Sequence, residues 1–375
     1  MSHEHKLRIV HVYKDYHPII GGIENHIKTL AERQVEAGHD VTVLVTNPRR
    51  LPPVERVNGV RVIRAARLAT LTSTPISPTL PFLLRRQRPD ITHLHFPYPI
   101  GEISQLLVGR RRPYVITYHS DVVRQKQLLR LYEPLLWRIL RGAARILPTS
   151  ERYVTTSPYL TPLRRQCTVI PLSVDPLPFQ NAQPLLQGAD CPTLLFVGRH
   201  RYYKGLDDLL RAMVHLPARL LVAGDGPVRA DWEAEADRLE LGHKVRFLGT
   251  ISDEDLPGLY ASADIFVLPA NSRTEAFGKV LLEAMAADLP CVTTEVGTGT
   301  SFVVEDGVSG YVVPPRDAAS LATAIARLLE DDELRQKMGR AGRRRVLAEF
   351  TPELMEARVA RVYREVIVQQ NPGTP

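Results

Sequence analysis

Short apolar, β-branched runs alternate with helical patterns along this chain, and the series runs twice. The first series comprises Leu7–Tyr13, Val41–Thr46, Val60–Arg64, Ile91–Phe96, Tyr114–His119, Arg145–Thr149 and Thr168–Leu172. The second comprises Thr193–Gly198, Arg219–Gly224, Val245–Gly249, Ile265–Pro269, Cys291–Glu295 and Tyr311–Val313. Helical segments such as Ile23–Ala37 and Pro134–Gly142 lie between these runs. Strands that are apolar at nearly every position, rather than at alternate ones, need cover on both faces. Parallel sheets sandwiched between helices provide it. Pro171–Pro192 carries no period and is rich in Pro, Gln and small residues, which predicts a linker. With 375 residues the chain can build two cores. The division predicted is residues 1–175 and 176–351, followed by a last helix. Thr351-Pro352-Glu353 supplies that helix with an N-cap and a first-turn proline, and its pattern runs to about Val368.

Composition excludes several classes. Hydrophobic residues make up 44% and charged residues 24%, as in ordinary globular proteins. No run of 18 apolar residues is present, so no transmembrane helix is expected. The start, Met1 to Lys6, leads into a strand without the apolar core of a signal peptide. Cys167, Cys191 and Cys291 lack metal-ligand spacing and are too few for a disulfide framework, so a reduced, cytoplasmic protein is expected. Residues 1–175 hold 26 Lys/Arg against 13 Asp/Glu, and residues 176–375 hold 22 against 28. The basic half suits an anionic membrane surface or nucleic acid, and equally a solvated arginine-rich surface. Aromatic residues are sparse (6%) and no recognition motif is present, which argues against nucleic acid. Arg110-Arg111-Arg112 and the Arg124–Arg145 segment add a basic amphipathic pattern, with Arg130, Arg138, Arg141 and Arg145 opposed by Leu128, Leu131, Leu135 and Ile139. Pro134 is expected to divide that segment into two helices.

The stretch Glu275-Ala-Phe-Gly-Lys-Val-Leu-Leu-Glu283 places two carboxylates across a loop-to-helix junction. The predicted helix runs from about Phe277 to Ala287. Ala276 and Gly278 permit close backbone approach, and free amides at a helix start favour a phosphate. Glu275 would sit at the helix mouth with Glu283 about 8 Å further along the axis, at ~1.5 Å per residue. Carboxylates accept hydrogen bonds from hydroxyls, so the two could hold two sugars with a diphosphate between. The spacing alone also fits two acids on the surface of a helix.

Other candidates follow strand ends, where parallel sheets bind ligands. Gly21-Gly22 separates the first strand from the first helix; it departs from G-x-G-x-x-G and can equally just start that helix. His119, in Thr117-Tyr-His-Ser-Asp121, is either a satisfied loop histidine or a donor to a sugar hydroxyl. His93 and His95 share a strand face, but no third ligand at metal spacing follows, which favours the core or an acceptor cleft. Arg199 and Lys204, in Val197-Gly-Arg-His-Arg-Tyr-Tyr-Lys-Gly205, are either solvated charges or a clamp for a diphosphate leaving group. Val222-Ala-Gly-Asp-Gly-Pro227, Phe247–Ile251 and Gly297-Thr-Gly-Thr-Ser301 are further turns near strand ends.

The stretch from Glu275 through Glu-Ala-Met-Ala-Ala-Asp-Leu-Pro290 and on to Asp317 resembles the E-x7-E signature of retaining GT-B glycosyltransferases. It is most similar to the large family-4 group that includes sucrose synthases and bacterial mannosyltransferases. The resemblance covers nearly the whole chain and includes the V-G-R…K-G segment. It departs at Ser173 and Asp288, where the family usually carries Gly; Asp tolerates the left-handed conformation needed there. The resemblance implies a GT-B fold of two Rossmann-like domains with an interdomain cleft, the first (1–175) binding acceptor and the second (176–351) the nucleotide sugar. It also implies that the last helix (352–375) returns to the first domain. The implied catalytic set is His119, Glu275, Arg199 and Lys204. Donor binding would fall to Gly21, Gly22, Arg199, Lys204, Glu275, Phe277, Gly278, Lys279 and Glu283. The expected reaction moves a hexose with retention from a nucleoside diphosphate sugar, GDP-mannose favoured, to a sugar or lipid-linked acceptor, with no metal and no cofactor. The site of work would be the cytoplasm or the inner face of the membrane.

Overall fold

The computed structural model describes residues 6–370 apart from 20, 49, 72–73, 110–111, 123–125 and 187–190, with the backbone alone at 126–129. The chain forms two compact units. One comprises the residues up to Thr149, Val154–Leu172 and the terminal helix Pro352–Gln370; the other comprises Ser150–Tyr153 and Ser173–Thr351.

The first unit contains β1 (Arg8–Val12), β2 (Asp40–Thr46), β3 (Val54–Val57), β4 (Val60–Ala65), β5 (Ala69–Leu71), β6 (Thr74–Ile76), β7 (Ile91–Phe96), β8 (Tyr114–Tyr118) and β9 (Arg145–Pro148). Its main sheet has the order β3-β4-β2-β1-β7-β8-β9 and is parallel except for the β3–β4 hairpin. The second unit contains β10 (Thr193–Val197), β11 (Arg219–Ala223), β12 (Val245–Gly249), β13 (Ile265–Leu268), β14 (Cys291–Thr294) and β15 (Gly310–Val313). Its sheet has the order β12-β11-β10-β13-β14-β15 and is parallel throughout. β1, β7, β8, β10 and β13 are buried along almost their whole length, the burial that continuous apolar runs demand. Both are the doubly wound, Rossmann-like arrangement. In each unit the chain starts mid-sheet, winds outward, returns to the middle and winds the other way. The order reverses between β1 and β7, and between β10 and β13, and a crevice opens there beyond the carboxyl ends of the strands.

The terminal helix packs on the helix Gly22–Glu36 of the first unit, as the resemblance implied. Val359, Val362 and Tyr363 are buried at that face, and Glu353 pairs with Arg33 at 2.5 Å.

Three local expectations need correction. Thr168–Leu172 is not a strand; Thr168 and Ile170 donate amides to Ile146 and Pro148, but pairing with β9 stops at an isolated bridge. Pro134 does not divide its segment, because one helix runs Lys126–Gly142 with the proline inside. Interior proline costs ~3 kcal/mol; fully buried Leu136, Ile139 and Leu140 offset it at ~1.5–3 kcal/mol each. Strand β3 was missed although its signal was present. Asn58 and Gly59 both have positive φ (48° and 84°), the two-residue hairpin turn that Asn-Gly favours. Asp288 has φ 59°, as the departure from Gly at that position required.

A Cβ at Gly59 would meet Val35 Cγ1 at 2.7 Å in a left-handed conformation. Gly59→Ala is therefore expected to lower unfolding free energy by ~1–2 kcal/mol, read by urea denaturation. An unchanged midpoint would contradict the hairpin.

Candidate functional site

In the second unit the expected residues converge at the switch point. The chain leaves β10 through Gly198 and Arg199, makes a turn Tyr202–Lys204, and enters the helix Leu206–Met213. Two glycines let the strand ends crowd together. A Cβ on Gly224 would lie 2.1 Å from the Gly198 carbonyl, and one on Gly205 would lie 2.0 Å from that of Pro269. Lys204 is thereby turned under the end of β13, where its Nζ meets Glu275 Oε2 at 2.7 Å. Both side chains are about one-tenth exposed, 10% each. Burial is the largest influence on the Lys204 ammonium and pushes its pKa down. The attraction and hydrogen bond of Glu275 together outweigh it and hold the value above that of an ordinary lysine.

Glu275 is braced from three directions. Its Oε1 accepts the Gly278 amide at 3.1 Å, its carbonyl accepts Thr298 Oγ1 at 2.6 Å, and its amide donates to the Ser272 carbonyl at 3.0 Å. Gly278 has φ 80°, so the helix begins at Lys279 rather than at Phe277 and runs to Ala286. The Gly278 amide, expected to be open to a phosphate, is held by Glu275 instead. Glu283 lies in the last turn of this helix. Its Oε2 accepts Tyr260 Oη at 2.9 Å and its Oε1 lies 4.0 Å from Lys279 Nζ. Burial raises the Glu283 pKa. Tyr260 carried no sequence signal, since it comes from the short helix Leu256–Tyr260, distant along the chain.

The remaining candidates of this unit divide. Arg199 is exposed and has no ion-pair partner among the described residues, whereas Lys204 is already paired with Glu275. Phe277 is 3% exposed, and its backbone and ring pack under Gly299. The hydroxyls of Thr298 and Thr300 brace the Glu275 and Thr294 carbonyls. The Gly297–Ser301 segment therefore supports the loop.

In the first unit, Gly21 precedes the helix Gly22–Glu36 with φ −173°, extended backbone open to any residue. The Glu24 carboxylate folds over this helix start, 2.2 Å from where a Gly21 Cβ would lie. A phosphate at Gly21-Gly22 would have to displace it. His119 follows β8 and is 3% exposed. It does not stand alone. His11 of β1, His93 and His95 of β7, Thr117 of β8 and His119 lie on one face of the sheet, with His26 and Gln34 reaching in from the covering helix. The parity of His93 and His95 was visible in the sequence, but the further imidazoles come from other elements. One ring nitrogen from each of His11, His93 and His95, and one from each of His26, His95 and His119, lie within 4.8 Å of one another. Both nitrogens of His11, His93 and His95 already bond within the protein at 2.6–3.1 Å, so metal ligation by either trio would break those bonds. Burial depresses these pKa values, to about 4 for His11 and well below the ordinary value for His93, His95 and His119, which keeps the rings neutral.

Of the basic amphipathic segment, Arg130, Arg138 and Arg141 are exposed and Ile139 is buried, yet Leu131 is 83% exposed. The apolar stripe thus splits between core and solvent. Arg110, Arg111, Arg124 and the Leu128 side chain lie outside the described residues.

Removing one member of a buried ion pair strands the other. Lys204→Met and Glu275→Gln should each destabilise the protein, and the double variant should lose less than their sum, with a coupling energy of ~1–3 kcal/mol in denaturant titrations. Additive losses would show that the pair does not act as a unit.

Comparison with known proteins agrees with the fold. Residues 20–176 match the family Glycosyltransferase Family 4, and residues 180–345 match Glycosyl transferases group 1. The chain is 36% identical to D-rhamnosyltransferase WbpZ of Pseudomonas aeruginosa over 92% of each chain. It is 35% identical to O-antigen chain mannosyltransferase C of Escherichia coli, over 93% of this chain and 96% of the relative. Among solved structures, sucrose-phosphate synthase from Thermosynechococcus elongatus superposes with TM-score 0.78 at 26% identity, over 97% of this chain and 100% of that one. HepE of Anabaena, in complex with UDP-glucose, superposes with TM-score 0.76 at 18% identity, over 96% and 100%. With two Rossmann-like sheets, a returning terminal helix and relatives of this similarity along nearly its whole length, the chain is a GT-B glycosyltransferase and belongs to the family-4 and group-1 glycosyltransferases.

Proposed function

We propose that the protein transfers a hexose, mannose or a related sugar, from a nucleoside diphosphate sugar to a sugar or lipid-linked acceptor, with retention and without a metal, in the synthesis of a cell-surface polysaccharide or glycolipid. The observation that carries this reading is the buried Lys204–Glu275 pair at the β10/β13 switch point, with Glu283 eight residues on. Such a pair holds a carboxylate in place where parallel sheets take their ligands. Glu275 would orient the hexose and Glu283 the ribose. Arg199, at the strand end and without an ion-pair partner among the described residues, would take charge from the diphosphate as it departs, with Lys204 assisting.

GDP-mannose is the favoured donor, supported by the rhamnosyl and mannosyl relatives; a UDP-sugar is the alternative, supported by the UDP-glucose complex of HepE. No residue among those described stands out as a covalent nucleophile, and the reading therefore favours attack from the face the diphosphate leaves, with that group assisting deprotonation. His119 is proposed to contact a substrate hydroxyl, and exposed Leu131 between Arg130 and Arg138 fits contact with an anionic membrane. No helix among the described residues is long and apolar enough to cross a membrane.

Purified protein incubated with GDP-mannose or UDP-glucose and a bacterial lipid extract should yield a glycosylated product detectable by mass spectrometry. Glu275→Gln should lower its rate by ~100-fold or more, the loss expected for a group acting in the transition state, while circular dichroism remains that of folded protein. Near-normal turnover by this variant would sink the assignment.

A further inference from the structure

The neutral histidines of the first unit form one hydrogen-bonded chain with a direction. Gln34 Oε1 lies 2.7 Å from His11 Nε2, His11 Nδ1 lies 3.0 Å from His95 Nε2, and His95 Nδ1 lies 3.1 Å from His119 Nε2. A second branch leaves the same amide. Gln34 Nε2 lies 3.4 Å from Tyr363 Oη, which lies 2.6 Å from His93 Nδ1, and His93 Nε2 lies 2.6 Å from Thr117 Oγ1.

A neutral imidazole carries one N–H and one lone pair. Fixing one bond of such a chain therefore fixes all of them. With the amide oxygen toward His11, as the structure places it, Gln34 Oε1 accepts from His11 Nε2–H. His11 Nδ1 then accepts from His95 Nε2–H, and His95 Nδ1 accepts from His119 Nε2–H. In the second branch Gln34 donates to Tyr363, Tyr363 to His93 Nδ1, and His93 Nε2–H to Thr117. Each of these six bonds then has one donor and one acceptor. Turning the amide over reverses the three bonds through His11, His95 and His119 with the same number of protons, and no mixture of the two polarities along those rings avoids a facing pair of protons or of lone pairs; the Tyr363 and Thr117 hydroxyls, which both donate and accept, let the His93 branch run either way. The free end is His119 Nδ1, which makes no hydrogen bond within the described protein. The other rings packed on this chain are His26, whose centroid lies 5.1 Å from that of His119, and His93, 4.5 Å from His95.

We propose that Gln34, His11 and His95 are positioning residues that hold the proton of His119 on Nε2, so that His119 offers its bare Nδ1 as a hydrogen-bond acceptor to a substrate hydroxyl. This rests on the reading of His119 as a substrate contact, and it gives that contact a polarity. Tyr363, of the terminal helix, bonds the same amide, so that helix packs against the head of the chain as well as covering the sheet.

The test is a two-bond proton–nitrogen correlation spectrum of the full chain labelled with [15N]histidine, which reads the tautomer of each ring. The expected result is Nε2–H at His11, His95 and His119. Gln34→Glu offers only acceptors, so it should leave those three rings unchanged and, by taking the Tyr363 hydroxyl proton, hold His93 at Nδ1–H. Gln34→Met fills the same space without polarity and should give mixed tautomers along the chain. Turnover of GDP-mannose should follow the same order. Gln34→Met should lose about tenfold in kcat/KM, the worth of one neutral hydrogen bond, and Gln34→Glu should restore it, a rescue that a purely packing role would not produce. Nδ1–H at His119 in the unsubstituted protein would overturn the polarity, and a Zn2+-induced shift of the His26, His95 and His119 rings together would replace the chain with a metal site. An unaffected turnover in His119→Ala would overturn the underlying substrate contact as well, and that result is separable from the spectra.

Discussion

The buried pair between Lys204 and Glu275 is the interaction on which the second unit's site depends. Neither group could remain charged there alone, because removing an isolated ion from water costs several kcal/mol. Together, with the Gly278 amide and the Thr298 hydroxyl completing the bonds around Glu275, they keep a carboxylate fixed at the end of a buried strand. The close approaches at Gly198, Gly205 and Gly224 follow from this. The β10 and β13 strand ends and the neighbouring turns must crowd together for a lysine from one to reach a glutamate from the other. The helix that carries Glu283 starts late for the same reason, since Gly278 in the left-handed region turns its amide back to Glu275.

The first unit solves a related problem without charge. Its switch point is lined by imidazoles from four elements, and burial disfavours their protonation. Neutral histidines can satisfy one another only by lining up donors with acceptors, which turns a set of side chains into a single directed object. One half of the chain thus places an ionised group at its strand ends and the other a neutral, orientable one, on sheets of the same winding.

Much of this was legible in the sequence, for identifiable reasons. The doubly wound sheets followed from apolar runs of strand length, because burial on both faces leaves no alternation to misread. Glu275, Glu283, Arg199 and Lys204 could be singled out because they sit beside glycine turns in a long ordered motif. What escaped notice depended on contacts distant along the chain. Tyr260 beneath Glu283, and Gln34 and Tyr363 at the head of the histidine chain, look like ordinary helix residues until the fold brings them in. The uninterrupted helix through Pro134 is a case of packing overriding a local rule. Strand β3 differs, because its Asn-Gly turn was in plain view and was passed over.

The central claim is that the carboxyl ends of β10 and β13, with Glu283, form a nucleoside diphosphate site. Calorimetric titration of the purified protein with GDP, UDP, ADP and NAD, repeated on Glu283→Ala, tests it most directly. The account predicts that one nucleoside diphosphate binds selectively and that the substitution weakens it, by about tenfold for one lost hydrogen bond or more if the carboxylate is charged. Absence of binding by every diphosphate, or binding of NAD in their place, would contradict it.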